Sequence, residues 1–143
     1  MPPDRFIVFL DENHCNNQKL LDVLNKAGVA VERHLAHFAR ATPDEDWLPF
    51  VGKNGWALLT SDAKIRYRSN EKRAVQTNGV CMFYFSTNNL SGTQMAAALE
   101  KALPKMQRIY AGQKPPYCVA ITKSGEVHVR ETFSSHAADN PES

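Results

Sequence analysis

The fold is decided by the stretch Phe6-Ile7-Val8-Phe9-Leu10-Asp11-Glu12. Its apolar residues follow one another without a polar break, which is typical of a strand buried on both faces of a sheet. The run then ends abruptly at two acids. Because a strand buried on both faces needs a layer of helices on each side, the stretch predicts the first strand of an α/β sheet.

The rest of the chain alternates between short apolar runs and segments with helical spacing. The segments 29–31, 56–60 and 80–85 are predicted strands, and Pro115-Pro116 introduces a predicted hairpin of 117–122 and 126–130. Capping-box patterns mark two helix starts, one with Thr42 as N-cap and Glu45 at N3, the other with Ser91 and Gln94. The order predicts a single-domain, doubly wound, mostly parallel sheet with right-handed crossovers and a C-terminal β-hairpin.

Length and composition fit one domain with a core, since the chain has 143 residues of which 43% are hydrophobic. We predict a domain over residues 1–132 and a disordered tail over 133–143, where the sequence is small and polar. No apolar run reaches the length of a membrane span or a signal segment, so we expect a cytoplasmic protein without a membrane partner. The 3 cysteines form no C-x-x-C pair, which disfavours a disulfide scaffold or a cysteine-based zinc site.

Acidic side chains follow two of the predicted strands. Asp11 and Glu12 come directly after the first strand, and Asp62 lies at the C-terminal end of the third, after Ser61. Asp44 lies in the first turn of the helix that precedes the third strand. In open α/β sheets the ligand crevice lies outside the carboxyl ends of the strands, so these acids are expected at one edge of the sheet.

Clustered carboxylates repel one another unless a cation compensates them. Mg²⁺ and Mn²⁺ prefer carboxylate oxygen and water, and such a metal can activate water and stabilise charge on a phosphodiester oxygen. The acids Asp11, Glu12, Asp44 and Asp62 are therefore candidate ligands for Mg²⁺ or Mn²⁺. Structural roles stay open for two of them, because Asp44 suits a helix N-terminus and Asp62 suits a turn.

A basic segment follows Asp62, although the net charge of the chain is only +2. It contains Lys64, Arg66 and Arg68, and the next helix adds Lys72 and Arg73. Two interpretations stay open: a solvated helix face, or a patch that binds phosphate.

Three segments, taken in order, resemble a known family. They are Phe9-Leu10-Asp11-Glu12-Asn13, Asp44-Glu45-Asp46-Trp47-Leu48 and Gly55-Trp56-Ala57-Leu58-Leu59-Thr60-Ser61-Asp62. Together they resemble PIN-like domains related to the VapC-type toxin nucleases, and the resemblance extends over roughly residues 6–130. It implies a PIN/Rossmann-like sheet, hydrolysis of RNA phosphodiesters with Mg²⁺ or Mn²⁺, and in many cases an antitoxin protein that blocks the site.

By position in the motifs, the resemblance assigns Asp11, Asp44 and Asp62 to the acidic core and Glu12 as an accessory acid. Asp46 competes with Asp44, which we prefer because Trp47 and Leu48 then face the core. The family usually has a fourth acid or polar ligand further along the chain. Here Asn70 and Glu71 are the candidates.

Other constellations are less informative. His34 and His37 form an H-x-x-H pair, but they are expected to flank a loop, and a further zinc ligand at suitable spacing is missing. One of them can still line the cleft. No glycine-rich phosphate loop is present, which disfavours nucleotide-dependent chemistry.

Two functions follow from these patterns. The first is a metal-dependent endoribonuclease that binds RNA through Lys64, Arg66 and Arg68. A more specific version of this hypothesis is that the protein is the toxin of a toxin–antitoxin pair. The alternative is a non-catalytic PIN-like module that binds RNA or a protein. The sequence leaves a homodimer open.

Overall fold

The computed structural model describes residues 6–61, 69–87 and 89–132. The predicted tail over 133–143 lies outside these residues. The strands are β1 (Ile7–Leu10), β2 (Ala30–Arg33), β3 (Ala57–Thr60), β4 (Cys81–Phe85), β5 (Tyr117–Ile121) and β6 (Val127–Thr132). The helices are α1 (Gln18–Lys26), α2 (His34–His37), α3 (Asp44–Asn54), α4 (Ser69–Asn78) and α5 (Gly92–Gly112).

The strands form one sheet in the order β2-β1-β3-β4-β5-β6. All neighbours are parallel except β5 and β6, which form the predicted antiparallel hairpin. The chain first moves from β1 to β2 on one side and then returns to β3 on the other side of β1. The order therefore reverses between β1 and β3, which is where an open α/β sheet forms its ligand crevice. This architecture confirms the predicted α/β fold class.

The core consists of two apolar layers, one on each face of the sheet. Val8 and Leu10 point into the layer formed with α1 and α5, whereas Phe9 points into the layer formed with α3 and α4. Successive side chains of a strand alternate between faces, so both faces of β1 need apolar residues. The unbroken apolar runs of the sequence follow from this double burial.

One crossover differs from the prediction. The chain passes over one face through α1 to reach β2, and over the other face through α3 and α4 to reach β3 and β4. After β4 the chain returns through α5 to the face that carries α1. It nevertheless moves across the sheet in the same direction as before, from β4 to β5. The prediction of uniformly right-handed crossovers is therefore wrong, because the β4–α5–β5 crossover has the opposite hand to the other three. Without α5, residues such as Phe83 and Val119 would face water, since α3 and α4 cover only the other face.

Two local predictions near the second strand are also wrong. His34–His37 forms the short helix α2 rather than flanking a loop. Thr42 does not cap α3: Pro43 occupies the N-cap position without a side-chain cap, and the Thr42 hydroxyl donates to the carbonyl of Ala39 at 2.7 Å. The capping box of Ser91 and Gln94 is confirmed at the start of α5.

No helix within the described part of the chain is long and apolar enough to cross a membrane.

Candidate active site at the carboxyl ends of three strands

Three neighbouring strands end at the same edge of the sheet. The residues that follow β2, β1 and β3 are His34, Asp11 and Ser61, respectively. Leu10 pairs with Leu59, so Asp11 and Thr60 continue the same register one step beyond. The structure thus places Asp11 at the point where the strand order reverses.

Asp11 is buried, with 5% of its surface exposed. The Thr60 hydroxyl donates to Asp11 Oδ2 at 2.6 Å, and the backbone N–H of His14 donates to Oδ1 at 3.2 Å. Such donors stabilise an ionised carboxylate and fix its orientation.

His14 connects the turn after β1 to the end of β3. Its side chain is largely buried, and its Nε2 lies 2.6 Å from the hydroxyl oxygen of Ser61. The turn itself is closed by the Asp11 carbonyl, which accepts from the N–H groups of His14 and Cys15 at 3.1 and 2.9 Å. Sequence reasoning missed the pairing of His14 with Ser61, because 47 positions separate them and no motif links them.

Glu12 contacts the segment that leads into α3. Its Oε1 accepts a hydrogen bond from the backbone N–H of Ala41 at 2.9 Å. Ala41 has a φ of 64°, a left-handed conformation that is uncommon for a residue other than glycine. Asp44, the first residue of α3, follows three positions later, and three residues extend over at most about 10 Å. The contact therefore connects the turn after β1 to the segment that leads into the N-terminus of α3.

Asp44 and Asp46 differ in exposure. Asp44 is partly buried, whereas Asp46 is exposed. Trp47 and Leu48, the next two residues, are buried against the sheet. This burial is the reason for preferring Asp44 to Asp46.

His34, the residue that follows β2, is fully buried. Its ring contacts those of Phe9, Phe38 and Trp47, with centroids 6.2, 5.5 and 5.6 Å away. Neither ring nitrogen has a hydrogen-bond partner among the described residues. Burial lowers the pKa of His34, and the negative charges of Glu12 and Asp11 oppose that shift. His37, by contrast, lies at the surface with its Nε2 2.7 Å from Glu32 Oε1.

The described residues contain only part of the predicted ligand set. Among residues 6–61, 69–87 and 89–132, no group of three or more His, Cys, Asp or Glu side chains is arranged to hold a metal ion. Asp62, the acid predicted after β3, lies outside the described residues, as do Lys64, Arg66 and Arg68. The carboxylates of Asp11 and Glu12 fit a hard, oxygen-preferring cation by their chemistry.

The chain matches the family model of the PIN-like domain over residues 7–87. This match covers more than half of the chain, and the chain belongs to the PIN-like domain family. The matched segment begins with β1 and ends just after β4, so it includes Asp11, Asp44 and Asp62. PIN domains are generally nucleases, and the family therefore identifies a nuclease-type module. No curated protein and no solved structure gave a significant match.

Proposed function

We propose that this PIN-like domain is a metal-dependent endoribonuclease that hydrolyses RNA phosphodiester bonds with Mg²⁺ or Mn²⁺. The observation that supports the proposal most strongly is the environment of Asp11. A carboxylate is buried at the carboxyl ends of the neighbouring strands β1 and β3, and both of its oxygens accept hydrogen bonds that fix its orientation. Preorganised carboxylates at this edge are what metal-assisted hydrolysis requires.

In this proposal Asp11, Asp44 and Asp62 would hold the metal. When bound, the metal would activate water and offset the negative charge that develops on the phosphodiester. Thr60 keeps the Asp11 carboxylate in place, and the contact of His14 with Ser61 keeps the turn after β1 against the end of β3. Lys64, Arg66 and Arg68 would bind the RNA phosphates on either side of the scissile bond.

The narrower form of the proposal is the toxin of a toxin–antitoxin pair that acts in the cytoplasm. An antitoxin would then cover the acidic edge, and a homodimer is compatible with this role. Induced expression is expected to arrest bacterial growth, and the Asp11→Asn variant is expected to be harmless at the same protein level. Equal growth of both strains would contradict the toxin role without contradicting RNA cleavage.

The nuclease proposal is tested with a mixed RNA substrate and purified protein. We expect cleavage with Mn²⁺ or Mg²⁺ and none in EDTA, with activity restored when metal is added back in excess. Cleavage that persists in EDTA would contradict a metal-dependent reaction.

A matched pair of variants on α3 tests which acid belongs to the site. Asp44→Asn is expected to lower the cleavage rate by about 100-fold or more, because an amide replaces a charged ligand. Asp46→Asn removes the same charge from an exposed position two residues away and is expected to retain cleavage within about 2-fold. The reverse result would assign the site to Asp46.

The alternative is a non-catalytic module that binds RNA or a protein. It is favoured by one contact: the Glu12 carboxylate is engaged by the Ala41 amide, which makes Glu12 less available as a further metal ligand. Thermal melting with and without Mn²⁺ separates the two functions. A bound metal raises the melting temperature by mass action, whereas an unchanged melting temperature at millimolar Mn²⁺ would favour the non-catalytic module.

A further inference from the structure

Glu12 and Ala41 form a contact that joins two loops of the site. Glu12 lies on the turn after β1, and Ala41 lies between α2 and α3, 29 positions further along the chain. The distance of 2.9 Å from the Ala41 amide nitrogen to Glu12 Oε1 is that of a good charge-assisted hydrogen bond. The carboxylate of Glu12 is thus already committed to a main-chain donor.

The segment around Ala41 is shaped to make this contact. The N–H and the hydroxyl of Thr42 both donate to the carbonyl of Ala39, at 3.4 and 2.7 Å, which closes a tight turn. Ala41 sits in that turn with a φ of 64°, a conformation that L side chains rarely adopt. Such conformations persist where the surroundings enforce them, and the Glu12 carboxylate is the side-chain acceptor that the Ala41 N–H has.

The start of α3 follows this turn directly. Pro43 at the N-cap position provides no side-chain cap, and the buried side chains that pack α3 against the sheet begin at Trp47. Asp44 is the first residue of the helix. The turn therefore leads straight into Asp44, and it is tied to the residue that follows Asp11.

We propose that Glu12 is a positioning residue rather than a metal ligand: through the Ala41 amide it holds the start of α3 so that Asp44 faces Asp11. The inference rests on the proposed metal-dependent function of the same site. It assigns the two adjacent acids different roles, with Asp11 binding the metal and Glu12 fixing the loop.

The two roles of Glu12 predict opposite results for Glu12→Gln. A glutamine keeps a carbonyl oxygen that can accept from the Ala41 N–H, but it lacks the charge that a metal ligand needs. A positioning role predicts that Glu12→Gln keeps the Mn²⁺ concentration for half-maximal binding within about 3-fold of wild type. It also predicts that Glu12→Ala raises this concentration by about 10-fold or more, the size of effect expected when a supporting contact is lost.

The experiment combines Mn²⁺ titration, followed by the melting temperature, with amide hydrogen exchange of the metal-free protein. Exchange at Ala41 is expected to be protected in wild type and in Glu12→Gln, and unprotected in Glu12→Ala. Glu45→Gln removes the same charge from an exposed position in the first turn of α3 and is expected to leave exchange and Mn²⁺ titration unchanged.

Three outcomes would overturn the inference. If Glu12→Gln loses Mn²⁺ affinity as strongly as Glu12→Ala while Ala41 stays protected, Glu12 is a ligand. If Glu12→Ala changes neither exchange nor Mn²⁺ affinity, the contact has no positioning role. If wild-type Ala41 exchanges freely, the contact does not form in solution. A protein that binds Mn²⁺ but does not cleave RNA would contradict the proposed function alone, because exchange and titration still report on Glu12.

Discussion

Thr60 shows how a single hydroxyl supports the site. It is fully buried and donates to Asp11 Oδ2 at 2.6 Å. Thr60→Val keeps the shape of the side chain but leaves the carboxylate without this donor, so we expect the free energy of unfolding to fall by about 1.5–3 kcal/mol. Thr60→Ser retains the hydroxyl, so its free energy of unfolding is expected to fall by less. Urea unfolding of the metal-free proteins measures this free energy for both variants. Equal decreases would show that the hydrogen bond to Asp11 does not contribute to stability.

His34 gives the metal-free protein a pH dependence. Burial lowers its pKa below the ordinary value of 6.5, so the unfolded chain takes up a proton more readily than the folded chain. The contribution of His34 to stability is therefore present above about pH 6.5 and is lost as the pH falls below that value towards the lowered folded-state pKa. His34→Phe should unfold with a weaker dependence on pH between 7 and 5.

The same substitution tests how much the buried imidazole lowers the free energy of unfolding. Because neither ring nitrogen has a partner among the described residues, His34→Phe is expected to be at least as stable as wild type at pH 7. His128→Gln, at an exposed position of β6, is the control and should keep the wild-type pH dependence. An unchanged pH dependence in His34→Phe would contradict the assignment to His34.

At the scale of elements, α3 and α4 pack closely because Gly52 has no side chain. A Cβ at Gly52 would lie 2.1 Å from the carbonyl oxygen of Asn78, which belongs to the backbone of α4 and cannot turn aside. Gly52→Ala is therefore expected to lower the free energy of unfolding by about 1–3 kcal/mol. It should also reduce RNA cleavage, because α3 begins with Asp44.

Gly112→Ala is the matched control, since a Cβ there would have no neighbour within 4 Å among the residues that the structure describes. Its stability is expected to be unchanged or slightly raised, because alanine favours a helix more than glycine does. Thermal melting of both variants provides the comparison. A Gly52→Ala variant as stable as Gly112→Ala would show that α3 and α4 can move apart without any loss of stability.

The elements that the sequence predicted best are those whose burial is complete. β1, β3 and β4 are unbroken apolar runs because helices cover both faces, and Ser91 with Gln94 marks the start of α5 through a strictly local pattern. Two predictions failed for different reasons. His34–His37 forms a helix whose first residue packs against Phe9, Phe38 and Trp47, and residue spacing does not reveal these contacts. The Thr42 hydroxyl donates to the Ala39 carbonyl instead of capping α3, because both bonds are local and the pattern alone does not decide between them.

At the scale of the whole molecule, topology explains why the sequence could predict which strand-end residues lie at the same edge of the sheet. Residues that follow parallel strands must meet at one edge, so the order of the strands is enough to place Asp11 beside the end of β3. The bonds that complete the arrangement, from His14 to Ser61 and from Ala41 to Glu12, connect positions 47 and 29 residues apart. No periodicity or spacing in the sequence encodes these pairs, which depend on how the loops pack after the sheet has formed.

The role of Asp11 is tested most directly by a time course of RNA cleavage with Mn²⁺ that compares wild type with Asp11→Asn. Circular dichroism and the melting temperature of the metal-free proteins establish that the variant is folded. If Asp11 binds the metal, wild type cleaves RNA with Mn²⁺ and Asp11→Asn does not. Cleavage by folded Asp11→Asn at the wild-type rate would contradict the proposal that the buried Asp11 carboxylate at the ends of β1 and β3 binds the metal.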